Sequence, residues 1–227
     1  NNVGLRKDIK HLPITESGCT AGAAALIYAN DILTAYPDKN VAIITIELPS
    51  NTMQVNDYSL DNVDGTALFS DGVACAILDN KQELGCRILD SKMYQISNTT
   101  DIWDYNLTNS GLKMNLGKDI PQTIQDNFYE ITEPFLNKNG FQIGQVDNFI
   151  IHPSGVKSLD KIEELLAQHN RDAHLSRHIM ENYGNMSSST VLFILEEKMK
   201  NNSIGETTLM LSFGPGFTAN QVLLQWC

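Results

Sequence analysis

The sequence predicts a layered α/β architecture. Short apolar runs of strand length alternate with longer stretches in which apolar residues recur at helical spacing. No stretch rich in Pro, Gly or Ser divides the chain. A chain of 227 residues, 42% of them hydrophobic, is long enough to bury a sizeable core. Domains of this size remove roughly 70% of their unfolded surface from water.

The first element is a helix over Ala23 to Leu33, built from strong helix formers and limited by Pro37. Val41 to Ile46 reads as a buried strand, and Thr66 to Phe69 with Val73 to Leu78 as a strand pair about an Asp71-Gly72 turn. Cys86 to Met93 opens the second part of the chain. Pro121 starts a helix that runs through Ile124, Phe128 and Ile131 to Phe135. Asn148 to Ile151 is a short apolar strand that delivers His152 to the turn Pro153-Ser154-Gly155. Val156 to His169 and Ala173 to Tyr183 are amphipathic helices separated by Asn170-Arg171-Asp172. In Tyr183-Gly184-Asn185-Met186-Ser187-Ser188-Ser189-Thr190, the serines and asparagine can cap a following helix. Thr207 to Phe213 and Ala219 to Trp226 close the fold as two strands.

Composition excludes several functions. Sixteen basic against twenty-seven acidic residues give a net charge of -11, unsuited to nucleic acid or an anionic membrane surface. Cys19, Cys75, Cys86 and Cys227 lack metal-ligand spacing, and reduced thiols in a cytoplasmic protein are the simplest reading. His174 and His178 lie one helical turn apart without a third ligand, so no metal site is expected. No apolar stretch approaches the ~20 residues of a membrane span, and Asn1-Asn2-Val3-Gly4 does not read as a signal peptide.

Cys19 is the most informative residue. It sits in Gly18-Cys19-Thr20-Ala21-Gly22, at a helix start whose unpaired N–H groups favour a thiolate, among small residues that leave room for an acyl group. His152, at a strand end, and Asn185 complete a Cys, His, Asn set. A papain-like cysteine hydrolase has the same chain order, but its local signature around the cysteine is absent.

Five ordered motifs point elsewhere: Leu5-Arg6-Lys7-Asp8-Ile9-Lys10-His11-Leu12-Pro13 leading to Cys19, Ala67-Leu68-Phe69-Ser70-Asp71-Gly72, the His152 motif, the Asn185 motif, and Ser212-Phe213-Gly214-Pro215-Gly216-Phe217-Thr218. Through them the chain resembles the type III polyketide synthases of the chalcone synthase-like family, in their bacterial form. The resemblance implies a thiolase-like αβαβα fold in two pseudo-duplicated halves, residues 1–83 carrying the nucleophile and 84–227 carrying His and Asn. It also implies that much of the N-terminal half is absent from this chain, with part of the central sheet and the basic residues that grip coenzyme A. Lys113, Lys118 and Lys157 are the remaining candidates for that grip.

By the same resemblance Cys19 holds the acyl chain, while His152 and Asn185 donate to the thioester oxygen of malonyl-CoA. Phe69, Met114, Ser187, Thr52, Gly214 and Pro215 line the substrate passage or cavity. Coenzyme A thioesters are the substrates, no cofactor is required, and a homodimer is expected. Decarboxylative condensation of malonyl units onto a fatty acyl starter, giving an alkylresorcinol or alkylpyrone, is the activity implied. A β-ketoacyl synthase III-like enzyme and a catalytically silent scaffold are the alternatives. Ser154 and Ser212 stand where the family usually has glycine, which matters only if the backbone there has positive φ. Met114 replaces an aromatic and suits flexible acyl chains.

Overall fold

Helix α1, Ala21–Ala35, follows a single 3-10 turn at Gly18–Thr20 and stops one residue before Pro37 is reached, where the Tyr36 N–H closes back on the Ile32 carbonyl at 2.8 Å. The computed structural model describes residues 4–15, 17–81, 85–109 and 111–227. The start of the chain and the expected boundary at residues 83 and 84 lie outside the described residues.

Strand β1, Val41–Glu47, pairs antiparallel with β2, Gly72–Leu78, from Val41 opposite Leu78 to Glu47 opposite Gly72. The expected strand at Thr66 to Phe69 is instead the end of helix α2, Leu60–Leu68. Leu60, Val63, Ala67 and Leu68 repeat at helical spacing, and the Thr66 hydroxyl bonds the Asn62 carbonyl one turn back. Only Phe69, extended at the helix end, keeps β character, through an isolated bridge to Asn185.

Strand β3, Cys86–Gln95, comes next, and a hairpin that the sequence did not announce follows as β4, Trp103–Thr108, and β5, Gly111–Leu116. Asp104, Asn106 and Asn115 break up its apolar pattern. Helix α3, Ile120–Lys138, outruns the expected end at Phe135 and carries Pro134 within it. Strand β6, Asn148–Ile151, helices α4, Val156–Ala167, α5, His174–Tyr183, and α6, Thr190–Lys200, and strands β7, Thr207–Gly214, and β8, Thr218–Trp226, match the sequence pattern closely.

The main sheet has the order β3-β8-β7-β6, with β6 and β7 parallel and the other pairs antiparallel. Every residue of β7 is buried, as expected of a strand covered on both faces. Leu209, Leu211 and Phe213 meet Phe128, Ile131 and Phe135 of α3 and Leu159 and Ile162 of α4 on one side. Met210, on the alternate face, joins Ala23, Leu26 and Ile27 of α1 and Val191 and Ile194 of α6 on the other. Helices α1 and α6 also contact β1 and β2 respectively. The layers therefore run β, α, β, α, four of the five in an αβαβα fold.

The outer face of the β1–β2 pair corrects the expectation of a fully buried strand. Ile44 is 62% exposed, Ile46 63% and Ile77 64%, while Ile43 and Thr45 face the helices. No element among the described residues covers that face, so the pattern is one-sided.

Close approach between layers depends on Gly22. A Cβ there would lie 2.1 Å from the Ser188 carbonyl oxygen and 2.8 Å from Val191 Cγ2. Gly22→Ala is therefore expected to destabilise the fold by about 2–3 kcal/mol, overpacking outweighing the ~1 kcal/mol gain in helix propensity. Gly65→Ala is the control, because its nearest neighbours would be 3.9 Å away. Urea midpoints for the two variants test this; equal midpoints would show that α1 shifts freely.

Candidate active site

The turn bearing Cys19 is wedged between the two layers. Gly18 has φ +49, a left-handed conformation that favours glycine, and a Cβ there would touch Pro215 Cδ and the Tyr105 hydroxyl at 3.0 Å. The Thr20 hydroxyl bonds the Ser17 carbonyl at 2.7 Å, and buried Asn220 donates from Nδ2 to the Thr20 carbonyl at 3.2 Å. Gly214 lies against the same turn, since its Cβ would come within 3.1 Å of the Thr20 nitrogen. Gly214 and Pro215 thus form a wall behind the cysteine.

His152 continues β6 by one residue, its N–H bonding the Leu211 carbonyl at 2.9 Å. Asn185 lies in the segment joining α5 to α6, where its N–H bonds the Leu68 carbonyl at 3.0 Å and its carbonyl accepts the Ser70 N–H at 2.9 Å. Those two bonds fasten Phe69 beside it. Ser187 follows with φ +50, and its N–H donates to Asn185 Oδ1 at 2.8 Å. His152 Nε2 lies 3.2 Å from the same oxygen, and His152 Nδ1 lies 3.3 Å from Ser154 Oγ.

This network assigns the protons. The Ser187 N–H can only donate, so the atom facing it is the amide oxygen of Asn185 and the amide is not reversed. An imidazole nitrogen facing that oxygen must carry hydrogen, so Nε2 is the N–H of His152. Asn185 Nδ2 is then left buried with no hydrogen-bond partner. An unsatisfied buried donor costs roughly 1–3 kcal/mol, which a substrate oxygen could recover.

Burial governs the charges. It pushes the Cys19 thiol up to about 12, with a further rise from the Glu47 carboxylate, while the side chains of Ser187 and Asn185 act in the lowering direction. It also pushes His152 down to about 4, against the hydrogen bonds its ring donates to Asn185 Oδ1 and to the Ser187 backbone. The position at a helix start is as expected, but desolvation outweighs the favourable dipole, so Cys19 is held as a neutral thiol and His152 as a neutral imidazole. Cys19, Asn185 and Ser187 thus share one locus, and His152 joins it through Asn185.

The remaining sequence candidates divide. Phe69 is tied to Asn185, and Met114 pairs across the hairpin with Tyr105, whose hydroxyl approaches Gly18. Thr52 is exposed, its hydroxyl turned to the Pro49 carbonyl at 2.9 Å, beside a cavity of about 390 Å³ lined by Met53, Asn62 and Thr66. Lys113 is engaged by Asp57, which holds that carboxyl down at about 2. Lys118 and Lys157 are exposed. Neither Ser154 nor Ser212 has positive φ, so both replace glycine without backbone strain. His174 is engaged by Asp172, and among the described residues no three potential ligands cluster to hold a metal. The described residues include no helix long and apolar enough to cross a membrane.

Two residues at the site escaped sequence reading. Glu47, at the end of β1, accepts the Ser188 hydroxyl and raises the Cys19 thiol. Tyr105 is pushed upward, by burial first and then by Cys19 and Glu47 beside it. The serines after Asn185 do not cap α6 as expected: Ser188 bonds Glu47, and Ser189 bonds Thr45 Oγ1 at 2.8 Å.

Known proteins share this arrangement of chain. The sequence profile for chalcone and stilbene synthases, C-terminal domain, matches residues 88–227, and that for the N-terminal domain matches residues 1–81. A 1,3,6,8-tetrahydroxynaphthalene synthase of Streptomyces coelicolor is 30% identical over all of this chain and 61% of its own length. The crystal structure of that organism's 1,3,6,8-tetrahydroxynaphthalene synthase, described as a bacterial type III polyketide synthase, superposes with a TM-score of 0.92 at 29% identity, covering 100% of this chain and 65% of the other. PKS-I of the brown alga Ectocarpus siliculosus gives 0.90 at 27% identity, over 100% and 63%. The chain thus spans about three fifths of the length of the curated relatives it matches. With both profiles matched and the fold in common, the chain belongs to the chalcone and stilbene synthase family of type III polyketide synthases.

Proposed function

We propose that the chain carries the condensing centre of a type III polyketide synthase, with Cys19 as nucleophile and His152 and Asn185 as donors to a nascent enolate. The supporting observation is the Asn185 amide: its oxygen is fixed by Ser187 and His152, and its buried Nδ2 is unpartnered at the thiol.

In loading, Cys19 sulfur attacks the carbonyl of an acyl-CoA. The new C–S bond forms as the bond to coenzyme A breaks, and the thiol proton goes to the departing coenzyme A sulfur while His152 keeps its own proton on Nε2. Burial keeps that proton on Cys19 until the acyl donor arrives. Malonyl-CoA then loses carbon dioxide, and the electron pair of the broken C–C bond becomes an enolate. Its oxygen takes hydrogen bonds from His152 Nε2–H and Asn185 Nδ2–H, where charge develops in a site that excludes water. The enolate carbon attacks the Cys19 thioester, extending the chain by two carbons and freeing the sulfur.

Phe69, Met114, Gly214, Pro215 and Ser187 border the path of the chain, and Met114 suits a flexible fatty acyl starter leading to an alkylresorcinol or alkylpyrone. Thr52 sits at the outer cavity, where the coenzyme A arm would approach. The working protein is a cytoplasmic homodimer that needs no cofactor. Incubation with a fatty acyl-CoA and radiolabelled malonyl-CoA tests the reading: labelled carbon dioxide and chain-extended products are expected. Free fatty acid without malonyl decarboxylation would mark a hydrolase, and no turnover with an alkylatable Cys19 would mark a silent homologue.

A further inference from the structure

The Nε2–H form of His152 has to be held in place by something. Of the two neutral tautomers of histidine, the one adopted is set by the partner of the other nitrogen. On the Asn185 side, the amide oxygen accepts from Nε2 at 3.2 Å. On the far side, the side chain facing Nδ1 is Ser154, whose Oγ stands 3.3 Å away in a buried pocket. That separation is long for a hydrogen bond between neutral groups, as is common before a substrate closes a site.

Ser154 is itself rigidly placed. Its N–H bonds the His152 carbonyl at 3.0 Å, Pro153 fixes the turn, and Gly155, at φ +145, redirects the chain into α4. No other hydrogen bond of the Ser154 hydroxyl competes for its proton among the described residues. A hydroxyl can donate or accept, and with Nε2 already protonated only donation to Nδ1 remains open.

We infer that Ser154 is a positioning residue: its hydroxyl donates to His152 Nδ1, holding the ring as the Nε2–H tautomer, whose proton Asn185 Oδ1 shares with the substrate oxygen. It acts through His152 and touches no reacting atom. The inference rests on the proposed condensing reaction for its kinetic consequence, but the tautomer can be read without any turnover.

The test uses the whole chain with histidine labelled with ¹⁵N, comparing wild type with Ser154→Ala and Ser154→Thr. In the wild type the His152 ring nitrogens should show a protonated Nε2 and a bare Nδ1. Ser154→Ala should show a mixture of tautomers, and Ser154→Thr, which keeps the hydroxyl, should restore the single form. With malonyl-CoA, Ser154→Ala should lower kcat for decarboxylation roughly tenfold with little change in KM, and Ser154→Thr should recover most of it. Unchanged ring shifts in folded Ser154→Ala overturn the inference. If the tautomer responds as expected while wild type fails to decarboxylate malonyl-CoA, the positioning role stands and the polyketide reading falls.

Discussion

Cys19→Ala is expected to abolish the covalent acyl adduct and to lower chain extension by roughly 10⁴- to 10⁶-fold, the range seen when a nucleophile is removed from a covalent mechanism. The measurement is intact mass after incubation with acyl-CoA, with product formation followed in parallel. An adduct that persists in Cys19→Ala would place the nucleophile at another residue. The substitution should leave the fold in place, since it removes one buried sulfur atom at a cost of about 1 kcal/mol.

It should also change the alkaline limb of stability in a determined direction. The folded thiol sits at about 12 against a reference of 9.0. Below pH 9 both states keep the proton, and no difference arises. Between pH 9 and 12 the unfolded chain releases it first, so wild type loses stability as pH rises through that window. Cys19→Ala lacks this contribution and should show a flatter decline in urea midpoint.

Asn185→Ala is expected to lower malonyl-CoA decarboxylation by 10²- to 10³-fold, the scale for loss of one donor to a developing oxyanion, and to lower acyl loading much less. The variant also leaves the buried Ser187 N–H without its acceptor, which should cost roughly 1–3 kcal/mol in stability. Asn185→Asp keeps an acceptor for Ser187 but offers no N–H to the substrate, so decarboxylation should fall as far as in Asn185→Ala. A carboxylate at this fully buried position adds its own desolvation cost, so its stability should not exceed that of Asn185→Ala. Equal loss of loading and decarboxylation in both variants would make Asn185 a structural residue.

Much of this was legible before any coordinates. Cys19, His152 and Asn185 each lie in a short motif whose local chemistry is readable: a helix start, a strand end and a turn rich in small polar residues. The helices and strands after residue 140 stood out because β6, β7 and β8 are almost wholly buried and carry continuous apolar runs. The failures share a cause. Glu47 and Tyr105 reach the cysteine only through pairing register, Glu47 opposite Gly72 and Tyr105 opposite Met114, and register is a property of two strands that no single window contains. Thr66 to Phe69 was misread because four apolar or β-branched residues fit strand and helix alike, and the leucine and valine that decide for helix lie upstream at positions 60 and 63. The depth of Cys19 is not legible locally because it is set by β7, β8 and the 3-10 turn at Ser187–Ser189, none of which adjoins it in sequence.

The bridge between Phe69 and Asn185 ties the end of α2 to the segment that carries the proposed donor amide. Since the main chains at these two positions are sewn together, a flap-like swing of the stretch around residue 69 would drag the donor amide out of register with its target.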